Sequence, residues 1–539
     1  MKLFLLLTAS LFLVPLKAQE HAWVYFTDKP NVAQSLSNPI SILTQRAIDR
    51  KNLHSVAIDE RDVPVNESYI ASLKAQTGIT VRAKSKWFNS AHVIGSVANI
   101  NALTGLAFVD RVVFADDALN SGSKSSSTTL ARPSDKLDAQ IEFTYGNTAN
   151  QVQQINIDAL HALDYTGEGL IIAVLDSGFP NVSTMGAFQR LRDNGDLLNG
   201  YDFVNRNPNV YAYTGNNHGT LVLSTMAGFV NNQFVGTAPD ASYYLFRTED
   251  AGSETPVEES YWVEAAERAD SLGVDIINTS LGYNTFDDAS YDYSTSDMDG
   301  NTAFISQGAN IAIEKGILVV TSAGNAGNDP TWGIITAPAD ANVLTVGAVN
   351  ASGNYASFSS RGPSADMRVK PDVMAQGSGS TVVTSTNVIA TANGTSFSSP
   401  IMAGAVACLW QALPNRTNVE IMQLVREASS QFLAPTIQIG YGIPNFGDAL
   451  NLALNTEAPP VQNEFKVFPN PTTGRFQVLM PTGTNRALIE MYDVLGKRVL
   501  KKEISSTNNF IEIGSFQKGV YIAQIASGST KKTLKIVKQ

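Results

Sequence analysis

Apolar and polar positions along the chain fall into three stretches of different periodicity. From 19 to 116, alternating runs interleave with helix-spaced ones. "HAWVYFTDK" predicts a strand, "SILTQRAIDRKNL" and "NESYIASLKAQTG" predict helices, "ITVRAKSKWFNSAHVIGSV" a strand pair, "INALTGLA" a helix and "DRVVFAD" a closing strand. From 144 to 455 the apolar runs become continuous. "GLIIAVLDSG", "VDIINTSLG", "GILVVTSAGN" and "NVLTVGAVN" do not alternate and end in small or polar residues, as strands buried on both faces of a parallel sheet do. Between them "VEESYWVEAAERADSLG" and "NTAFISQGANIAIEKG" have helical length and spacing, so this stretch reads as α/β with a mostly parallel sheet. Ligands of such sheets lie beyond the carboxyl ends of the strands, where Asp176, Ser280 and Asn325 fall. From 464 to 539 strict alternation returns, broken by Pro, Gly and Asn, and predicts a small all-β sandwich.

The joints are also legible. Residues 117–143 are Ser-rich and poor in large apolar side chains, so they are expected to stay solvated and open to proteolysis. Residues 456–463 form a short linker. A chain of 539 residues exceeds what one core serves, so two to four domains are expected.

Composition narrows the function. A net charge of −11 disfavours nucleic acid as a partner, because phosphate binding needs concentrated Lys and Arg. The acidity is uneven: from Asn463 onward 12 Lys and Arg face 5 Asp and Glu, which marks the tail as separable. Residues 1–18 combine Lys2, an apolar run from Leu3 to Leu16 and a small residue at Ala18, the pattern of an export signal too short to serve as a membrane anchor. The single cysteine, Cys408, forms no intrachain disulfide and lies in "AGAVACLW", where a buried apolar role is expected.

Histidine is scarce enough for elimination. His21, His54 and His92 belong to the leader, and His161 sits in "INIDALHALDYTG", which reads as a surface helix. That leaves His218, beside Gly219 at the start of a small-residue helix, as a base able to reach a cleft. Asp176 ends an apolar strand, and its carboxylate needs a donor nearby. Ser396 lies in "NGTSFSSP" ahead of an apolar helix. Each also has a plain structural reading: a helix cap for Ser396, a packed ring for His218, a loop-capping carboxylate for Asp176.

In order along the chain, "AVLDSG", "NHGTLVLSTMAG", "INTSLG", "TSAGN" and "NGTSFSSPIMAGAVA" resemble the subtilase (S8) family of serine endopeptidases, over Tyr145 to Leu454. The resemblance implies a subtilisin-like three-layer α/β domain. It implies Ser396 as nucleophile, His218 as general base and then acid, and Asp176 as the group that orients the imidazole. It implies an oxyanion hole from Asn325 and the Ser396 amide. It further implies that Ser280, Leu281 and Gly282, with Ser322, Ala323 and Gly324, receive the substrate as an added strand. "MAQG" at 374–377 departs from the family's usual "MAPG".

The leader resembles the subtilase propeptide, a ferredoxin-like α+β module that fills the cleft until it is cut, here between about Asp116 and Tyr145. The tail, with "VFPNPTTGRF", "MYDVLGKRV" and "GVYIAQI", resembles the sorting domain of type IX secretion in Bacteroidota, with a carbohydrate-binding sandwich as the competing reading. No organic cofactor is expected. The acidic "YNTFDDASYDYSTSDMDG" is a candidate for calcium although it breaks the EF-hand pattern, and no "HExxH" for zinc exists. The expectation is a secreted zymogen of a serine endopeptidase acting on proteins or peptides, engaged by type IX machinery, without a transmembrane anchor and without nucleic acid. The alternative is a catalytically inactive surface protein that holds peptides in the same cleft. A nucleotide-binding α/β domain leans only on "GEG" and lacks the required glycine spacing.

Overall fold

The computed structural model describes residues 19–120, 143–454 and 465–539, the last stretch without 469, 471, 473, 481–483, 485, 495, 506–508 and 528–529. The export signal, nearly all of the Ser-rich segment and the 456–463 linker lie outside the described residues.

In the leader, strands β1 (Glu20–Phe26), β2 (Ile79–Ser85), β3 (Ser90–Gly95) and β4 (Val109–Phe114) form an antiparallel sheet in the order β2-β3-β1-β4. Helices α1 (Gln45–Leu53), α2 (Glu67–Lys74) and α3 (Val97–Ala102) complete a ferredoxin-like unit. The last helix starts three residues before the apolar run "INALTGLA", because Ser96 caps it by accepting the Asn99 amide. Ala22, Val24, Leu73, Val93 and Ile100 form the centre of this small core.

The central unit carries a seven-stranded sheet in the order β11-β10-β9-β8-β5-β7-β6, from β5 (Ile171–Asp176), β6 (Leu197–Asp202), β7 (Ser242–Arg247), β8 (Ile276–Thr279), β9 (Leu318–Ser322), β10 (Leu344–Val349) and β11 (Val373–Gln376). Every pairing in it is parallel, so its carboxyl ends share one rim. Helices α4 (His218–Ala227), α5 (Val257–Leu272), α6 (Phe304–Glu314) and α7 (Thr395–Ala412) cover the faces. Nearly every side chain of α7 is buried, as expected of a helix apolar all round.

The leader sits on α5. Ser85 Oγ and the amides of Lys86 and Trp87 donate to the Glu267 carboxylate, and Arg50 and Lys51 of α1 pair with Asp270. Trp23 stacks on Phe304 of α6, with ring centroids 4.6 Å apart. An acidic helix face that would otherwise meet water is thereby buried.

His161 departs from its expected place on the surface. It is 1% exposed, because Tyr145 Oη and the Thr237 carbonyl satisfy its two ring nitrogens at 2.9 and 3.0 Å. Cys408 is buried beside it, its thiol donating to the same Thr237 carbonyl.

The tail is a separate compact unit beginning near Leu452. Strands β12 (Lys466–Phe468), β13 (Arg475–Leu479), β14 (Arg486–Tyr492), β15 (Arg498–Ser505), β16 (Phe510–Glu512), β17 (Gly519–Ser527) and β18 (Thr530–Lys538) form two antiparallel sheets, β12-β13-β16 and β15-β14-β17-β18. Phe476, Ile489, Met491, Ile511, Ala523 and Ile525 fill the space between them.

Candidate active site

Asp176 closes β5 and is fully buried. Its carboxylate accepts from the Ser177 amide at 2.7 Å, from Ser177 Oγ at 3.1 Å, and from His218 Nδ1 at 2.8 and 3.1 Å. The imidazole is thus one of the donors that this buried carboxylate requires. His218 opens α4, where Asn216 Oδ1 accepts its amide at 2.8 Å and fixes the start of the helix. With Nδ1 bonded to Asp176, Nε2 is the nitrogen left for chemistry.

The His218 ring lies 6.0 Å from the Phe397 ring, which places the imidazole against the first turn of α7, where Ser396 sits. Gly394 enters this turn with φ of 145°, in the region where only glycine is unstrained. Among the described residues Ser396 Oγ makes no hydrogen bond to His218. Its hydroxyl donates a long 3.4 Å bond to the Ser280 carbonyl instead.

Asn325, three residues beyond β9, accepts at Oδ1 from the Thr395 amide at 2.9 Å and from Thr395 Oγ1 at 3.0 Å. Both donors fall on the oxygen, and the residue itself is exposed. Thr395 was not singled out by sequence reasoning. The only local signal is a threonine one residue before the serine at a helix start.

Ser280, Leu281 and Gly282 continue from β8, while Ser322 ends the neighbouring β9 and Ala323 and Gly324 follow it. The six residues thus line two adjacent strand ends on the rim that carries Asp176. A β carbon at Gly282 would lie 2.2 Å from Thr336 Oγ1, so bare backbone is required there by packing alone. Beside His218 a polar hollow of about 370 Å³ is lined by Asn181, Thr214, Asn216, Asn217 and Ser385.

Electrostatics favour a charged imidazole. Burial works to lower the His218 pKa, but the charge and hydrogen bond of Asp176, aided by Glu249, outweigh it and set the pKa above the ordinary 6.5. Glu249 lies two residues beyond β7 and accepts from Tyr283 Oη at 2.6 Å. Burial pushes its carboxyl up to about 7.

In the acidic segment that is a candidate for calcium, four carboxylates make local hydrogen bonds. Asp288 accepts the Ser290 amide, Asp292 the Phe286 amide, Asp297 the Ser294 amide and Asp299 the Asn301 amide, so each caps its own turn. Among the described residues, the carboxylates close enough to share an ion are those of Glu249, Glu254 and Glu258, outside that segment. Burial first, and mutual repulsion after it, push Glu254 up to about 8 and Glu258 up to about 10, so these two retain protons near neutrality.

A family model described as the subtilase family matches residues 167–442. The chain belongs to the subtilase family. Subtilisin E of Bacillus subtilis (strain 168) is 31% identical over 300 residues, covering 54% of this chain and 69% of the relative. An alkaline protease of Shouchella clausii is 32% identical over 310 residues, covering 57% and 71%. Subtilisin Savinase of Lederbergia lenta is 32% identical over 296 residues, covering 54% and 95%. Among solved structures, MycP1 with its N-terminal propeptide removed aligns at 23% identity with a TM-score of 0.44, covering 57% of this chain and 98% of that one.

The flanking units match two further models: a Bacteroidota peptidase S8 propeptide domain at 21–131 and a secretion-system C-terminal sorting domain at 466–539. This subtilase is a serine endopeptidase made with a propeptide, and its type IX sorting domain marks it for export across the outer membrane. Among the described residues no helix is long and apolar enough to cross a membrane.

Proposed function

We propose that peptide-bond hydrolysis proceeds through an acyl-enzyme on Ser396. The observation that carries this reading is the 2.8 Å bond from His218 Nδ1 to the buried Asp176, with the imidazole set against the turn that holds Ser396. His218 Nε2 takes the hydroxyl proton as Oγ attacks the peptide carbonyl, and returns it to the leaving amine as the C–N bond breaks. Asp176 keeps the ring in the productive tautomer and stabilises its cationic form. The Ser396 amide and Asn325 Nδ2 donate to the oxygen that becomes negative. Water, deprotonated by the same imidazole, then releases the acid product and restores Ser396.

The substrate main chain runs between 280–282 and 322–324, where backbone groups of both strand ends face it. The leader, 19–116, is cut away within 117–143, leaving a peptidase unit of 144–455 ahead of the tail from 464. The chemistry uses no organic cofactor, and an acidic enzyme of this kind takes no nucleic acid. Expression of the full chain tests the reading. The unaltered chain should divide into leader and peptidase, whereas Ser396→Ala should remain one polypeptide and leave casein intact. Processing and caseinolysis by purified Ser396→Ala at the unaltered rate would overturn the assignment.

A further inference from the structure

In an α-helix each carbonyl accepts the amide four residues on. For Ser396 in α7 that residue is Pro400, which has no N–H to give and lies inside the helix with its ring buried. The carbonyl of the reacting residue therefore lacks its helical partner. Ser280 Oγ, at the end of β8 and 5% exposed, donates to it at 2.9 Å across 116 positions of sequence.

The direction of that bond is set from behind. Ser399 Oγ donates to Asn278 Oδ1 at 3.1 Å, and Asn278 Nδ2 donates to Ser280 Oγ at 3.4 Å, with Ser399 and Asn278 fully buried. An oxygen that accepts a hydrogen bond from Asn278 turns its own proton toward Ser396. The same residue reaches Ser396 twice, because the Ser280 carbonyl accepts from Ser396 Oγ.

We infer that the Ser280 hydroxyl is a positioning residue for the nucleophile, replacing the hydrogen bond that Pro400 removes and tying the first turn of α7 to the strand end that receives substrate. The inference rests on Ser396 being the nucleophile. Its effect should fall on turnover rather than binding, since the backbone groups of Ser280 that face a substrate are untouched by a side-chain change.

Pro400 supplies an unusual control. Replacing it with alanine restores an N–H at position 400, and a helix with that amide no longer needs the Ser280 hydroxyl. The experiment compares four full-length chains after processing: unaltered, Ser280→Ala, Pro400→Ala and the double variant, each with kcat and KM on one peptide substrate and a thermal melt. Ser280→Ala should lose about 10-fold in kcat with KM within about twofold, the size expected for losing one buried hydrogen bond. Pro400→Ala should stay within about threefold of the unaltered kcat, and the double variant should recover most of the loss. An Ser280→Ala enzyme with unaltered kcat, or a double variant as slow as Ser280→Ala, would overturn the inference. If Ser280→Ala does not accumulate as folded protein, the double variant decides: recovery of folded enzyme with near-unaltered kcat supports the inference, and no recovery contradicts it. The two readings fail separately. An unaltered chain that a fluorophosphonate does not label at Ser396 removes the nucleophile itself, whereas normal labelling with an indifferent Ser280→Ala removes only the role of Ser280.

Discussion

At the scale of single residues, the Asp176–His218 pair sets the pH response. A general base works when neutral, so kcat/KM should fall as pH drops through the raised His218 pKa, giving an acidic limb above 6.5. Glu249→Gln removes one of the charges that hold this pKa up and should move the limb toward lower pH, which a pH–rate profile reads directly. Asn325→Ala should cost about 10²- to 10³-fold in kcat with little change in KM, the range known for losing one oxyanion donor. The residues with these tasks differ in how visible they are along the chain. With five histidines, elimination reaches His218 without a fold. His161 defeats the same reasoning, because the groups that satisfy its ring, Tyr145 and Thr237, lie 16 and 76 positions away and leave no local trace. Thr395 and the Ser280 hydroxyl are hidden for a related reason. One acts through an amide 70 positions distant, and the other through a hydrogen bond that a proline deletes.

At the scale of elements, parallel strands are legible because burial on both faces abolishes alternation, as in "LIIAVLD" and "GILVVTS". Helix α5 is legible as a helix but not in its surroundings. Glu259, Glu267 and Asp270 would mark a solvated face, yet all are buried under neighbouring elements, Glu267 and Asp270 by the leader. The leader also brings a neutral histidine pair into that contact: His21 Nδ1 meets His92 Nε2 at 2.9 Å, and His92 Nδ1 meets Ser260 Oγ at 2.8 Å. Burial, with Arg82 adding, pushes His21 down to about 4, and burial holds His92 well below its ordinary value. Since the docked form keeps both rings neutral, its stability is lost as pH falls from the ordinary 6.5 toward about 4. After cleavage, the leader should therefore co-elute with the peptidase at pH 7.5 and separate at about pH 4.5 on size exclusion. Co-elution unchanged at the lower pH would contradict this.

At the scale of the whole molecule, the three-part division is carried by changes of period and charge: mixed α+β, continuous apolar runs, then a basic alternating tail. What period alone leaves open is which task each part has, since a small sandwich serves sorting and carbohydrate binding equally well. The sorting-domain match settles the tail's class. Deleting 466–539 should leave the kcat of the processed peptidase unaltered while retaining the protein behind the outer membrane, as fractionation of cells would show. Hydrolysis as a whole stands on one hydroxyl. Purified, processed enzyme treated with a fluorophosphonate and mapped by mass spectrometry should carry its adduct at Ser396, and His218→Ala should abolish it. A folded, processed enzyme that stays unlabelled, or that labels at another serine, would contradict the account.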